Sequence, residues 1–268
     1  MTSALEVSTP DELGQIRAVC LDIDDTLLDN ERSSRMGLAA LTGNDAAWPV
    51  WRRTTEEHYA RVVAGETDFD TMCRERIRAF FAAFGEQLSE AEVIAREHVR
   101  MSAMQRAWKL FDDAVPCLEW LRASGLRVAV ISNAPGGYQR KKIAAVGLAG
   151  AFDELVLSGE LGVAKPDSRI FAAACSALDL RPEEVAHVGD RFDQDALGAV
   201  HAGMHGVWLN RRGNARSQAA DPVPEDVSVI TGLDELPERL VCDLPSAAVR
   251  PVYREKSCPG VDPSRCSG

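Results

Sequence analysis

The chain has 268 residues, of which 46% are hydrophobic and 26% charged, with a net charge of −11. Those proportions are ordinary for a globular protein, and the length suits one large α/β domain or a core domain carrying an insertion. The acidic balance argues against a nucleic-acid binder, because affinity for phosphate backbones comes from Lys and Arg. No apolar run reaches bilayer-spanning length, and the first residues, Met-Thr-Ser-Ala-Leu-Glu-Val, lack a basic start and a long apolar stretch. The seven cysteines are odd in number and lack metal-ligand spacing. Cys20, Cys117 and Cys175 lie in apolar segments, which reads as a reducing cytoplasm without a disulfide framework.

In chain order, residues 17–22 form a short apolar run, expected to be a buried strand. It ends in Asp22-x-Asp24-x-Thr26, two carboxylates and a hydroxyl at a strand end. Residues 33–110 are rich in Ala, Arg, Glu, Met and aromatic residues. Thr71–Phe84 and Glu90–Trp108 there carry apolar residues at helical spacing, so the block reads as a helical insertion of four or five helices. From residue 114 strands and helices alternate. Helices are predicted over Val115–Ala123, Tyr138–Val146, Ile170–Leu178 and Asp193–Ala202. Strands are predicted over Arg127–Ser132, Glu154–Leu157, Val185–Val188, Gly206–Leu209 and Val227–Ile230. This alternation implies right-handed βαβ units and a parallel, Rossmann-like sheet. The division expected is a core over 1–32 and 111–244, a helical cap over 33–110, and a disordered tail over 245–268, where Pro, Ser, Gly and Arg dominate.

Four short signals sit at predicted strand ends or in the loops that follow. They are Asp22-x-Asp24-x-Thr26, Ser132-Asn133, Lys165-Pro166, and Gly189-Asp190 with Asp195 beyond it. In a parallel sheet those ends share one edge, so residues remote in sequence converge there. The inventory suits phosphoryl transfer. A carboxylate can attack phosphorus, and a second can protonate the leaving oxygen and then activate water. Mg²⁺ takes hard oxygen ligands, while a hydroxyl and a Lys stabilise transferring oxygens.

With these motifs in order, the chain resembles the haloacid dehalogenase-like (HAD) hydrolase superfamily, in the phosphatase-like branch whose helical cap follows the first motif. The text that carries the resemblance is Leu21-Asp22-Ile23-Asp24-Asp25-Thr26-Leu27, Ile131-Ser132-Asn133, Gly162-Val163-Ala164-Lys165-Pro166-Asp167, and Val188-Gly189-Asp190 through Asp195. It covers roughly residues 15–235. By resemblance, Asp22 is the nucleophile and Asp24 the general acid/base. Asp22, the Asp24 carbonyl and Asp190 hold Mg²⁺. Thr26, Ser132, Asn133 and Lys165 bind the phosphoryl group, and Asp195 either orients Lys165 or reaches the metal through water. Asp25 stands where many relatives have Gly.

Dehalogenases of the superfamily lack the second Asp, so Asp24 favours a phosphate ester as substrate. A phosphomutase shares all four motifs, and a non-catalytic binding protein would show a lost motif residue. A cap over the site points to a small phosphorylated metabolite, such as a nucleotide or sugar phosphate. Within the cap, Trp51, Arg52, His58 and Tyr59 are the candidate specificity residues, although core aromatics and solvated Arg are the commoner explanation. His187, in a strand, reads as a satisfied core histidine. No membrane or nucleic-acid partner is expected, and the chain would be a monomer or homodimer.

Overall fold

The computed structural model describes residues 16–213 and 223–242. The tail predicted over 245–268 lies outside them. Six strands form one sheet: β1 (Ala18–Leu21), β2 (Arg127–Ser132), β3 (Glu154–Leu157), β4 (Val185–Gly189), β5 (His205–Leu209) and β6 (Val227–Ile230). Their order is β3-β2-β1-β4-β5-β6, and every neighbouring pair is parallel. The apolar runs explain this: a parallel strand is covered on both faces, so it shows no polar alternation. Val19, Leu21, Val128, Val130, Ala186 and Val188 pack on one face with α5 (Ala114–Ala123). Ala18, Cys20, Ala129 and Ile131 pack on the other with α8 (Ser168–Ala177). Cys20, Cys73, Cys117 and Cys175 are free and buried.

Between β1 and α5 the chain forms four helices: α1 (Asn30–Thr42), α2 (Trp48–Val63), α3 (Phe69–Ala82) and α4 (Glu90–Arg106). Local chemistry fixes their starts. Asp29 caps α1 and Asp68 caps α3 through main-chain N–H groups, and Ser89 with Glu92 forms a capping box on α4. The first helix therefore starts at Asn30, three residues ahead of the composition change at 33. Leu38, Trp51, Ile77, Phe80, Phe81 and Val93 form a separate core for this block. The chain leaves and re-enters the α/β core side by side. Leu28 and Leu110 form an antiparallel bridge, and the Asp29 N–H donates to the Lys109 carbonyl at 3.0 Å.

The remaining helices are α6 (Gly136–Ala145), α7 (Ser158–Leu161), α9 (Leu197–His201) and α10 (Leu236–Cys242). The helix predicted over Asp193–Ala202 is divided. Phe192–Ala196 winds as a π-helical turn before α9 begins. Among the described residues no helix is long and apolar enough to cross a membrane.

Candidate active site

Register brings the motifs together. Leu21 pairs with Val130 on one side and Val188 on the other. The residues that follow, Asp22, Ser132 and Asp190, therefore emerge along one edge. They line a cavity of about 400 Å³ between the sheet edge and the four-helix block, together with Asp24, Asn133, Lys165 and Asp195.

Lys165 is the centre of the charge arrangement. Its Nζ lies 2.8 Å from Asp22 Oδ1 and 2.6 Å from Asp195 Oδ1, and donates to the Ile131 carbonyl at 2.8 Å. Burial opposes its charge, yet Asp195 and Asp22 hold its pKa above the ordinary lysine value. Asp195 is held below the usual carboxylate range in return, because Lys165 and His187 outweigh its burial. The π-helical turn positions Asp195, whose Oδ2 also accepts from the Arg191 N–H at 2.9 Å. Asp22 behaves differently: burial, with Asp195 and Asp24 adding to it, pushes its pKa up to about 7 despite Lys165. Burial also raises Asp190 well above its usual value, reinforced by the charges of Asp25, Asp195 and Asp22.

Asp24 is more open and faces a different cation. The buried Lys142 Nζ lies 2.5 Å from its Oδ1, and Gln139 Nε2 lies 3.5 Å from Oδ2 while donating to Ser132 Oγ at 3.0 Å. Both partners come from α6, directly after β2. Asp25 has φ 62° and accepts at 3.0 Å from Arg212. That left-handed backbone explains why Gly suits the position and why Asp, the next most tolerant type, can replace it. Asn133 ties two loops together: its Oδ1 accepts from the Lys165 N–H at 2.7 Å, and its Nδ2 donates to the Lys165 carbonyl at 2.9 Å.

Two groups of expected residues are placed elsewhere. Thr26 is fully buried and does not line the cavity. Its turn bonds back to Ile23, and its carbonyl accepts from Arg211 at 2.9 Å. Of the four residues proposed for specificity, Tyr59 alone reaches the cavity, and its hydroxyl donates to the Asn133 carbonyl. Trp51 is core, edge-on to Phe80 with centroids 5.2 Å apart. Arg52 lines a neighbouring cavity of about 210 Å³, and His58 lines a third one with Arg61 and Glu75. On α2 the stripe of Thr55, Glu56, Tyr59, Ala60 and Val63 faces the main cavity, one turn beyond Trp51 and Arg52. His187 is buried as expected of a core residue, but its Nε2 lies 3.2 Å from Asp195 Oδ1, so it also braces the charge centre. Lys142, Gln139, Tyr138, Arg76 and Arg100 were not legible from the motifs. For the first three the available signal was the polar face of α6, the helix that follows β2.

Among the described residues, no three His, Cys, Asp or Glu side chains group as metal ligands. Asp22 and Asp190 line the same cavity, and two carboxylates there suit instead a small hard cation that keeps most of its water.

The sequence profile of the haloacid dehalogenase-like hydrolases matches residues 16–203. A phosphoserine phosphatase of Thermus thermophilus is 31% identical over 69% of this chain and 72% of its own length. A glyceraldehyde 3-phosphate phosphatase of Methanothermobacter thermautotrophicus is 30% identical over 84% of this chain and all of its own. An (S)-2-haloacid dehalogenase of a Pseudomonas species is 28% identical over 84% of this chain and 97% of its own. Among solved structures, a magnesium-bound HAD-hydrolase of Bacillus subtilis shares the fold at TM-score 0.72 and 19% identity, covering 84% of this chain and 99% of that one. Motifs, fold and relatives agree: the chain is an enzyme belonging to the haloacid dehalogenase-like hydrolase family, whose members similar to it include phosphatases.

Proposed function

We propose that the protein hydrolyses the phosphate monoester of a small metabolite through an aspartyl-phosphate on Asp22. The observation that carries this reading is the pair Asp22 and Asp24, two carboxylates in one cavity with separate cations, Lys165 and Lys142. Environments that differ this way suit different tasks. Asp22 attacks phosphorus and the ester P–O bond breaks, while Asp24 gives a proton to the leaving oxygen. A water, deprotonated by Asp24, then attacks the same phosphorus, and the Asp22 O–P bond breaks to release phosphate. Lys165 fixes the Asp22 carboxylate and, with Ser132, offers donors to the phosphoryl oxygens. Asp22, Asp190 and the Asp24 carbonyl would hold Mg²⁺, which when bound neutralises phosphoryl charge and the mutual repulsion of the carboxylates. Residues 30–109 serve in this reading as a cap, excluding water from a cavity too small for a protein substrate.

Release of phosphate from p-nitrophenyl phosphate tests the reading. The wild type is expected to release it with Mg²⁺ and not with EDTA, and Asp22→Asn to lose turnover while keeping its circular dichroism spectrum. Undiminished turnover in Asp22→Asn would overturn it. An isomerised ester without free phosphate would indicate a mutase, and halide release from a 2-haloacid a dehalogenase.

A further inference from the structure

Two arginines in the cavity wall have no role in the chemistry above. Arg76 of α3 and Arg100 of α4 both line the cavity, with relative exposures of only 6% and 2%. Buried arginine is rare unless it is paired. Here two guanidiniums share one carboxylate. Arg100 takes both oxygens of Glu97, through Nε at 2.7 Å and Nη2 at 2.6 Å. Arg76 receives the remainder: its Nη2 lies 3.3 Å from Glu97 Oε1 and 3.6 Å from the Cys73 thiol, and its buried Nε has no partner. The Cys73 thiol is no counter-charge, because burial pushes its pKa up to about 11. The two guanidiniums and Glu97 therefore leave one positive charge uncompensated in this wall.

The rings around them hold the pair in place rather than neutralising it. Arg76 and Arg100 stack on Trp51, at 4.7 and 5.4 Å from its ring centroid. That packing gives Trp51 its role: it is a platform behind the arginines. The same cavity is lined by Phe69, Met72, Met101, Met104 and Tyr138. These are apolar or weakly polar, so the cavity combines the carboxylates and Lys165, an apolar lining and the two guanidiniums. A planar fork with a free N–H suits a carboxylate better than a neutral hydroxyl. Leaving it unmatched in a buried wall carries the penalty of an unsatisfied buried charge.

From this we propose that Arg76, backed by Arg100, is a subsite for a second anionic group on the substrate, so that the preferred esters are phosphorylated carboxylic acids. This rests on the phosphatase reading for the phosphoryl group, but the subsite itself can be measured without turnover. The probes are 3-phosphoglycerate and glycerol 3-phosphate, which differ in carrying a carboxylate or a hydroxymethyl group at the far end. Binding of each is measured by calorimetry in the presence of Mg²⁺, on the full-length Asp22→Asn protein.

The acid is expected to bind at least about tenfold more tightly than the alcohol. In the double variant with Arg76→Met, which leaves Arg100 and Glu97 as a balanced pair, the preference should fall to nearly twofold or less. Arg76→Lys should retain part of it. Equal binding of the two esters by the Asp22→Asn protein, or no binding of either, would overturn the subsite. That comparison does not depend on any arginine variant folding. A preference that survives Arg76→Met in a folded protein would overturn it as well. Tight, selective binding in a wild type that releases no phosphate would instead sink the phosphatase reading and leave the subsite standing.

Discussion

At the scale of single residues, the site is a competition between burial and pairing. Lys165 pairs with both Asp22 and Asp195, yet their pKa values move in opposite directions: burial raises Asp22, whereas Lys165 and His187 together hold Asp195 down. Asp24 lies apart from that contest, beside Lys142. Asp24→Asn is expected to slow hydrolysis of alkyl phosphates by about 100- to 10,000-fold, the usual worth of a general acid/base. The loss in the first step should be much smaller for p-nitrophenyl phosphate, whose leaving group needs no proton. Burst kinetics with the two ester types would show this, and an equal loss of the first step for both would remove Asp24 from the acid role. Motif order was enough to expect Asp22, Asp24, Lys165, Asp190 and Asp195 in one cavity, because strand ends of a parallel sheet converge. Lys142, Gln139 and Arg76 escaped, because a lysine or arginine on an amphipathic helix looks solvated until its neighbours in space are known. Trp51 attracted attention for the right neighbourhood and the wrong contact.

At the scale of elements, strands were more legible than helix ends. Arg127–Ser132, Glu154–Leu157 and Val227–Ile230 match their predicted bounds, since apolar β-branched runs bounded by turns have few alternatives. The helix expected over Asp193–Ala202 begins instead as a π-helical turn. Its cause is long-range: Asp195 must face Lys165 and His187, which the local sequence does not encode. This turn is braced by β5. A Cβ on Gly206 would lie 2.3 Å from the Ala196 carbonyl oxygen. Gly206→Ala therefore forces backbone apart rather than a flexible side chain. A loss of about 1–3 kcal/mol is expected by chemical denaturation, together with lower turnover through displaced Asp195. Unchanged stability and rate would mean that the turn is not braced there.

At the scale of the whole molecule, one ion pair joins segments far apart in sequence. Asp113, just before α5, takes Arg211 at 2.7 and 2.8 Å and the Leu233 N–H at 2.9 Å. Burial opposes its charge, but Arg211 and that N–H hold its carboxyl below the usual range. A carboxyl depressed on folding stabilises above its unfolded pKa of about 3.9, and the contribution fades as pH falls through the lower folded value. Asp113→Asn is accordingly expected to cost about 1–3 kcal/mol at pH 7, with a smaller gap from wild type at pH 3. A gap that widens on acidification would show that the pair is not the source.

The paired passage at Leu28 and Leu110 has a consequence for how such a chain can diversify. Both ends of the helical segment are anchored at one point, so the sheet sees the same two neighbouring strands of backbone whatever lies between them. Insertions with adjacent ends disturb a host fold least. Everything from Asn30 to Lys109 can then be exchanged while the sheet edge that presents Asp22, Ser132 and Asp190 stays unchanged. The arginines of α3 and α4 belong to the exchangeable half, and Asp22 to the constant one.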